Sequence, residues 1–322
     1  MGAEQSACSS KCCGAKNGDV DVKALPNPGT GDEYADVTEN AKTGTNLSLD
    51  VSADDGGKGA ESDGGMLSYF EQESAEIAKI QGAGGVTSGV KYTFQTGATF
   101  VGRWEGNVRE GFGTMTWPDG ATYQGEWKNN KACGKGVFKH SDGDRYVGLW
   151  DNNMANGLGM YYHQGSATYT GQWYNDLQHG VGIEMWDEGA RYEGEFSAGQ
   201  KHGNGCYFWG DGSSYKGTWK DNLIEGEGAY SANDGRVFLG QWKMSQIHGL
   251  GKYSWSDGKE YRGAYENDMK HGFGCFIWPD GRRFEGWWSN GKQHGVGRYM
   301  AKNGVFKGAI WENGEKSKDL PS

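Results

Sequence analysis

Five sets of residues have the types and spacing to do chemistry. Gly-x-Gly pairs such as Gly134-x-Gly136 and Gly203-x-Gly205 could cradle a phosphate with their backbone N–H groups. His179, His202, His248, His271 and His294 each precede such a pair and could hold a metal or sense pH. Gly2, Cys8, Cys12 and Cys13 crowd the N-terminus and could carry acyl chains. Trp117, Trp186, Trp209, Trp255 and Trp278 could form an aromatic binding strip. Arg262, Lys270, Arg282, Arg283, Lys292 and Arg298 could together meet a phosphoinositide head group.

Spacing decides the first two sets. The Gly-x-Gly pairs recur through the chain and lack the Lys-Ser/Thr of a phosphate loop, so they read as structural glycines. The five histidines recur at or in multiples of 23 residues. If each interval holds two strands, neighbours stand about 10 Å apart, too far for two imidazoles to share one zinc. They read as turn-stabilising residues. No Ser/His/Asp, Cys/His or paired-carboxylate set stands out, so the expectation is no enzyme, no catalytic residue, no metal and no cofactor.

The element that must position these residues is a repeat. Read from Tyr123, the pattern is Tyr123-x-Gly125-x-Trp127, then Gly134-x-Gly136, then Asp142-Gly143. The opening aromatic returns every 23 residues from Phe100 to Phe284, at Tyr146, Tyr169, Tyr192, Tyr215, Phe238 and Tyr261 among others. Aromatic, glycine and aromatic alternate with polar residues, which is strand periodicity. Asp-Gly between two such runs predicts a type I′ hairpin turn, with a loop of about six residues joining the strands inside each repeat. The result is an all-β, elongated, single-layer antiparallel meander, solenoid-like, about 90 Å long from strand spacing. Columns of aromatic rings lie along it against bare glycine backbone.

These residues resemble the MORN repeat (membrane occupation and recognition nexus), with its Tyr-x-Gly-x-Trp, Gly-x-Gly and Asp-Gly signature. The likeness covers residues 100–305, with Phe306-Lys-Gly308-Ala-Ile310 as a truncated last copy and 90–97 as the end of a degenerate first one. Gln164-Gly165 and Asn303-Gly304 replace Asp-Gly in two copies. The resemblance implies a scaffold that organises membrane junctions or cortical cytoskeleton and often self-associates; phosphoinositide binding is the other role it implies.

Composition agrees with a repeat array. Of 322 residues 58 are Gly and 13% are aromatic, while only 35% are hydrophobic. The net charge of −10 is concentrated in residues 1–89, where 15 acids and 6 bases give −9; from residue 90 onward 27 acids nearly balance 26 bases. No basic face suited to nucleic acid is visible. No apolar run approaches the ~18 residues of a membrane span.

The N-terminus supplies the membrane. Met1-Gly2 with Ser6 fits a myristoylation signal. One myristoyl chain binds only marginally, and Lys11 and Lys16 are too few for a basic patch, so Cys8, Cys12 and Cys13 must carry the second anchor as palmitoylation sites. An inert tail is the bland alternative. The domain expectation is a disordered tail at 1–65, a short amphipathic helix with linker at 66–89, the repeat array at 90–311 and a C-terminal tail at 312–322. The helix, opened by the Ser68-x-x-Glu71 capping box, reads as a cap over the open end of the array. The Trp strip is either packing or a binding groove, and the sequence leaves both open.

The functional expectation is a membrane-anchored, non-enzymatic scaffold on the cytoplasmic face of a plasma or cortical membrane, recruiting protein partners, with unpaired edge strands as a physical route to a homodimer. The alternative is a phosphoinositide-binding module at the basic C-terminal repeats.

Overall fold

The computed structural model describes residues 69–70 and 88–321. Apart from the helical Tyr69–Phe70 pair, these form one antiparallel sheet of 21 strands, β1 (Tyr92–Thr93) to β21 (Glu315–Asp319) in chain order. Each strand pairs with its successor, so the whole is a meander with no crossover. At about 4.8 Å per strand the sheet advances close to 10 Å with every repeat. Strand β21 falls in the stretch assigned to a C-terminal tail, so the sheet runs past the last recognisable repeat.

One repeat, strands β4 (Thr122–Lys128) and β5 (Lys131–Lys139), shows why these residues fold this way. Tyr123 and Trp127 face one side, and between them Gly125 pairs with Gly136 across the strands. The Tyr123 ring lies flat over that glycine pair: a Cβ added at Gly136 would sit 2.5 Å from its Oη, and one at Gly125 would sit 2.6 Å from the Gly136 Cα. Only glycine leaves room. The phenol donates to the Glu126 carbonyl at 3.0 Å, and burial drives its pKa far above the usual tyrosine value, so it stays a neutral donor. The first glycine of the pair does something else. Gly134 has φ +59 and sits where the register shifts, so it is the bulge that turns the second strand.

Rings then interlock along the array. Tyr123 meets Trp127 of its own repeat edge-to-face at 5.2 Å and Trp150 of the next at 5.0 Å. The same two contacts recur from Phe100–Trp104 to Phe284–Trp311. Trp127 Nε1 donates back to the Gly113 carbonyl at 3.2 Å.

The two turns of a repeat are the reverse of the sequence expectation. The loop between β4 and β5 is two residues, Asn129 (φ +51) and Asn130 (φ +68), not about six. Positive φ at both central positions is the type I′ signature. At Ser141-Asp142-Gly143 only the glycine has positive φ, and the Gly143 N–H donates to the His140 carbonyl: a three-residue loop ending in a left-handed residue. Asp142 is there because its Oδ1 accepts the Asp144 N–H at 3.1 Å, closing the loop with its side chain. Asn303 makes the same bond to Val305 in the copy that lacks Asp. In the Gln164-Gly165 copy, Asp144 of the preceding turn accepts from Gln164 N, Tyr161 Oη and His163 Nδ1 at 2.6–2.9 Å; burial would raise its carboxyl, but these bonds hold it below its ordinary value.

The Asn pair also ties repeats together. Asn130 Oδ1 accepts from Arg109 N, Asn153 from Ala132 N, Asp176 from Ala155 N, Asn222 from Lys201 N and Asp268 from Ile247 N, all at 2.6–2.8 Å. Each bond reaches 21 residues back, linking a turn to the preceding repeat outside the sheet ladder.

Tyr69 and Phe70 are buried on the aromatic face of the early repeats, not across the open end where a cap would sit. Trp117 Nε1 donates to the Tyr69 carbonyl at 2.7 Å and Tyr69 Oη donates to Asp119 at 2.9 Å. The rest of the expected helix at 66–81, and the tail at 1–65, lie outside the described residues.

Gly136→Ala drives a methyl into the Tyr123 ring and should cost about 1–3 kcal/mol, whereas Gly165→Ala, with φ +74 and open space, should cost nearer 1 kcal/mol; urea unfolding compares them. Burial lifts the Asp176 carboxyl to about 6, so the folded chain holds a proton that the unfolded chain releases near pH 4, and stability falls as pH rises through that window. Asp176→Asn keeps the acceptor and should stabilise the protein by about 1–3 kcal/mol at neutral pH, with the gain vanishing near pH 4; melting curves across pH test this.

Candidate interaction surface

The five tryptophans of the strip lie on the aromatic face, just before the three-residue loops. Trp117 and Trp278 are buried, while Trp186, Trp209 and Trp255 are partly exposed. Their packing is local: Trp186 lies 5.6 Å from Tyr207, Trp209 4.6 Å from Tyr207 and 5.7 Å from Tyr230, and Trp255 4.4 Å from Tyr253. Trp278 packs on Phe276 at 4.6 Å and under the Arg282 guanidinium at 5.5 Å. The strip is thus the margin of the packed aromatic face, with its middle members the most open.

The basic residues of the last repeats are not brought together as one cationic surface. Arg262 pairs with Glu260, which also takes Lys252 at 2.7 Å. Arg282 pairs with Asp280 at 2.8 Å, and Arg283 and Arg298 converge on the buried Glu285. Lys292 is exposed. Lys270 is the correction: it is fully buried, its Nζ 4.8–5.6 Å from the ring centres of Trp255, Tyr261, Phe276 and Trp288. It lies across the sheet from Tyr265 and shares that residue's inward face, so its ammonium cannot reach a head group.

The histidines stay one per repeat, as the spacing requires. His202 approaches Asp221 at 3.6 Å and His271 approaches Glu266 at 3.5 Å, and among the described residues no group of metal-ligating side chains forms. Cys133, Cys206 and Cys275 are free thiols, half-buried. Gly2, Cys8, Cys12 and Cys13 lie outside the described residues.

Sequence reading missed the opposite face. The middle residue of each Gly-x-Gly points away from the rings, and Phe112, Leu158, Val181, Leu250, Phe273 and Val296 are each more than half exposed there. Trp287, edge-on to Phe273 at 6.2 Å, is 54% exposed. At the other end Phe112, Val137, Val147, Leu149 and Leu158 line a shallow groove of about 580 Å³. The signal was available in the sequence: the x of Gly-x-Gly is polar in some copies and large and apolar in others, as expected of a position that the fold does not use.

The model of the MORN repeat matches nine consecutive segments, at 100–122, 123–145, 146–166, 169–191, 192–214, 215–235, 238–260, 261–282 and 284–306. Comparison with curated proteins returned no match. Among solved structures, the TCP10 domain of Danio rerio CPAP is similar at 11% identity and TM-score 0.35, over 65% of this chain and 99% of that one. The TCP domain of Drosophila melanogaster SAS-4, solved with a proline-rich motif, is similar at 12% identity and TM-score 0.27, over 60% and 86%. Scores this low carry no functional argument.

Lys270 shares its repeat position with Ile224 and Ile247, both fully buried. Lys270→Ile should therefore leave stability unchanged or raise it, because a buried ammonium is exchanged for a fitting hydrocarbon. Lys270→Ala should cost about 2–4 kcal/mol by leaving a cavity among four rings. Thermal melts of both variants check the pair.

Proposed function

This chain belongs to the MORN-repeat family, and from that premise we propose that it is a membrane-anchored, non-enzymatic scaffold. It recruits protein partners or organises membrane-associated cytoskeleton along its β-rod. The observation that carries this reading is how the array uses its reactive residue types. Glycines seat rings or form bulges, histidines are dispersed one to a repeat, and the aromatic face runs unbroken along the rod. A long surface of repeating form suits holding a partner better than turning over a substrate.

The membrane half of the proposal rests on the N-terminal sequence. Myristate on Gly2 with palmitate on Cys8, Cys12 or Cys13 supplies the two chains that stable attachment needs. Residues 14–65 then tether the rod at the cytoplasmic face. Phosphoinositide binding by the last repeats is the weaker reading, since four of the five arginines and lysines it would use besides Lys270 are already paired to carboxylates. Self-association by strand pairing at the C-terminal end is also disfavoured: β21 is exposed throughout and charged at four of its five residues, with Lys316 and Lys318 on it, a composition that blunts an edge.

Gly2→Ala should move most of the protein from the membrane pellet to the soluble fraction, because palmitoylation follows the first membrane contact. Full retention of Gly2→Ala in the pellet would overturn the anchoring scheme. Proximity labelling from the intact protein and from Gly2→Ala should then return different neighbours.

A further inference from the structure

Six repeats apart, the array contains the same Trp-Tyr-Phe-Trp cage twice, with different occupants. The Lys270 ammonium sits among Trp255, Tyr261, Phe276 and Trp288. Moving back by six periods, the corresponding rings are Trp117, Tyr123, Phe138 and Trp150, and the residue in the place of Lys270 is Ala132. A methyl cannot fill that space. Phe70 fills it instead, with ring centres 5.3, 5.3, 6.1 and 5.7 Å from those four rings, and it is 1% exposed. One repeat earlier Arg109 occupies the equivalent cage, its guanidinium 4.3 Å from Trp127 and 5.7 Å from Phe100. The position therefore takes arginine, lysine or phenylalanine against a similar aromatic wall, with Met115 standing in for one ring beside Arg109, and in the Ala132 repeat its occupant comes from outside the array.

The site reads more than one ring. Trp117 Nε1 donates to the carbonyl of Tyr69, Asp119 accepts from the Tyr69 phenol, and the Tyr69 ring leans on Phe138 at 5.2 Å. It thus recognises a backbone carbonyl, a phenol and a buried aromatic side chain in sequence. We propose that the socket over Ala132 is a docking site for a peptide carrying a Tyr-Phe pair, and that Tyr69–Phe70 is its exchangeable occupant in cis. A protein partner presenting such a pair enters by displacing the chain's own segment. The proposal deepens the reading of the aromatic face as a recruiting surface, and it concerns binding alone, so it stands or falls separately from membrane attachment.

Exchange has a built-in bias. The occupant is tethered, so it competes at an effective concentration of about millimolar, and a free peptide must overcome that. The test uses full-length protein and a fluorescent peptide of residues 66–81, followed by anisotropy. Phe70→Ala protein, with its socket vacated, should bind the peptide at least tenfold more tightly than wild type. A peptide carrying Phe70→Ala should bind neither. Phe70→Ala/Ala132→Lys protein, refilled as in the Lys270 repeat, should lose the binding. Equal affinity of wild-type and Phe70→Ala protein, or equal affinity of the two peptides for Phe70→Ala protein, overturns the proposal. If the lysine variant does not fold, the two peptides decide the question alone, because they leave the array untouched.

Discussion

Everything in this molecule depends on one close approach, a tyrosine or phenylalanine ring lying on a cross-strand pair of glycines. Gly125 and Gly136 face each other without side chains, and the Tyr123 ring takes the space their Cβ atoms would need. The ring is thereby held flat enough to meet one tryptophan of its own repeat and one of the next, both edge-on. A single sheet would ordinarily leave one apolar face to be covered by a second layer. Here the rings form that layer themselves, so the protein grows in one direction and needs no separate core.

The period, the strand alternation and the ring columns were legible in the sequence because they are written identically in each copy. The turns were misread because Asp-Gly has two structural uses. Its strongest short-range association is with the type I′ hairpin, but here the aspartate side chain closes a three-residue loop and the glycine alone goes left-handed. The true type I′ positions, Asn129-Asn130 and their counterparts, vary to Asp, Ser, Met and Ala across copies. Their inter-repeat hydrogen bonds span 21 residues and have no local signature.

Charged residues misled for a related reason. Lys270 looks like a surface base when counted by type, yet its column also holds Ala132, Ile224 and Ile247, which marks it as inward-facing. Column identity outranks residue type in a repeat, since the fold fixes direction before the side chain is chosen. The same logic was available for Trp287, which stands where Glu126 stands in an earlier copy and therefore points outward. The Phe70 contact was not legible in any such way. It joins residue 70 to rings from 117 to 150, and nothing in the 23-residue pattern refers to positions upstream of it.

An array whose contacts are almost all between neighbouring strands distributes stability evenly and gives every repeat the same outline. Such uniformity cannot by itself select a partner, because a ligand fitting one repeat would fit them all. Selectivity must come from positions where a copy breaks its column in a way the fold tolerates. Ala132 is such a break: it keeps the strand, removes the plug and leaves a socket whose walls are dictated by neighbouring repeats. Phe273 and Trp287 on the outer face are another, since polar residues in the same positions elsewhere show that the fold does not require them. The repeats therefore supply a rigid ruler, and its irregular marks are where recognition can be written.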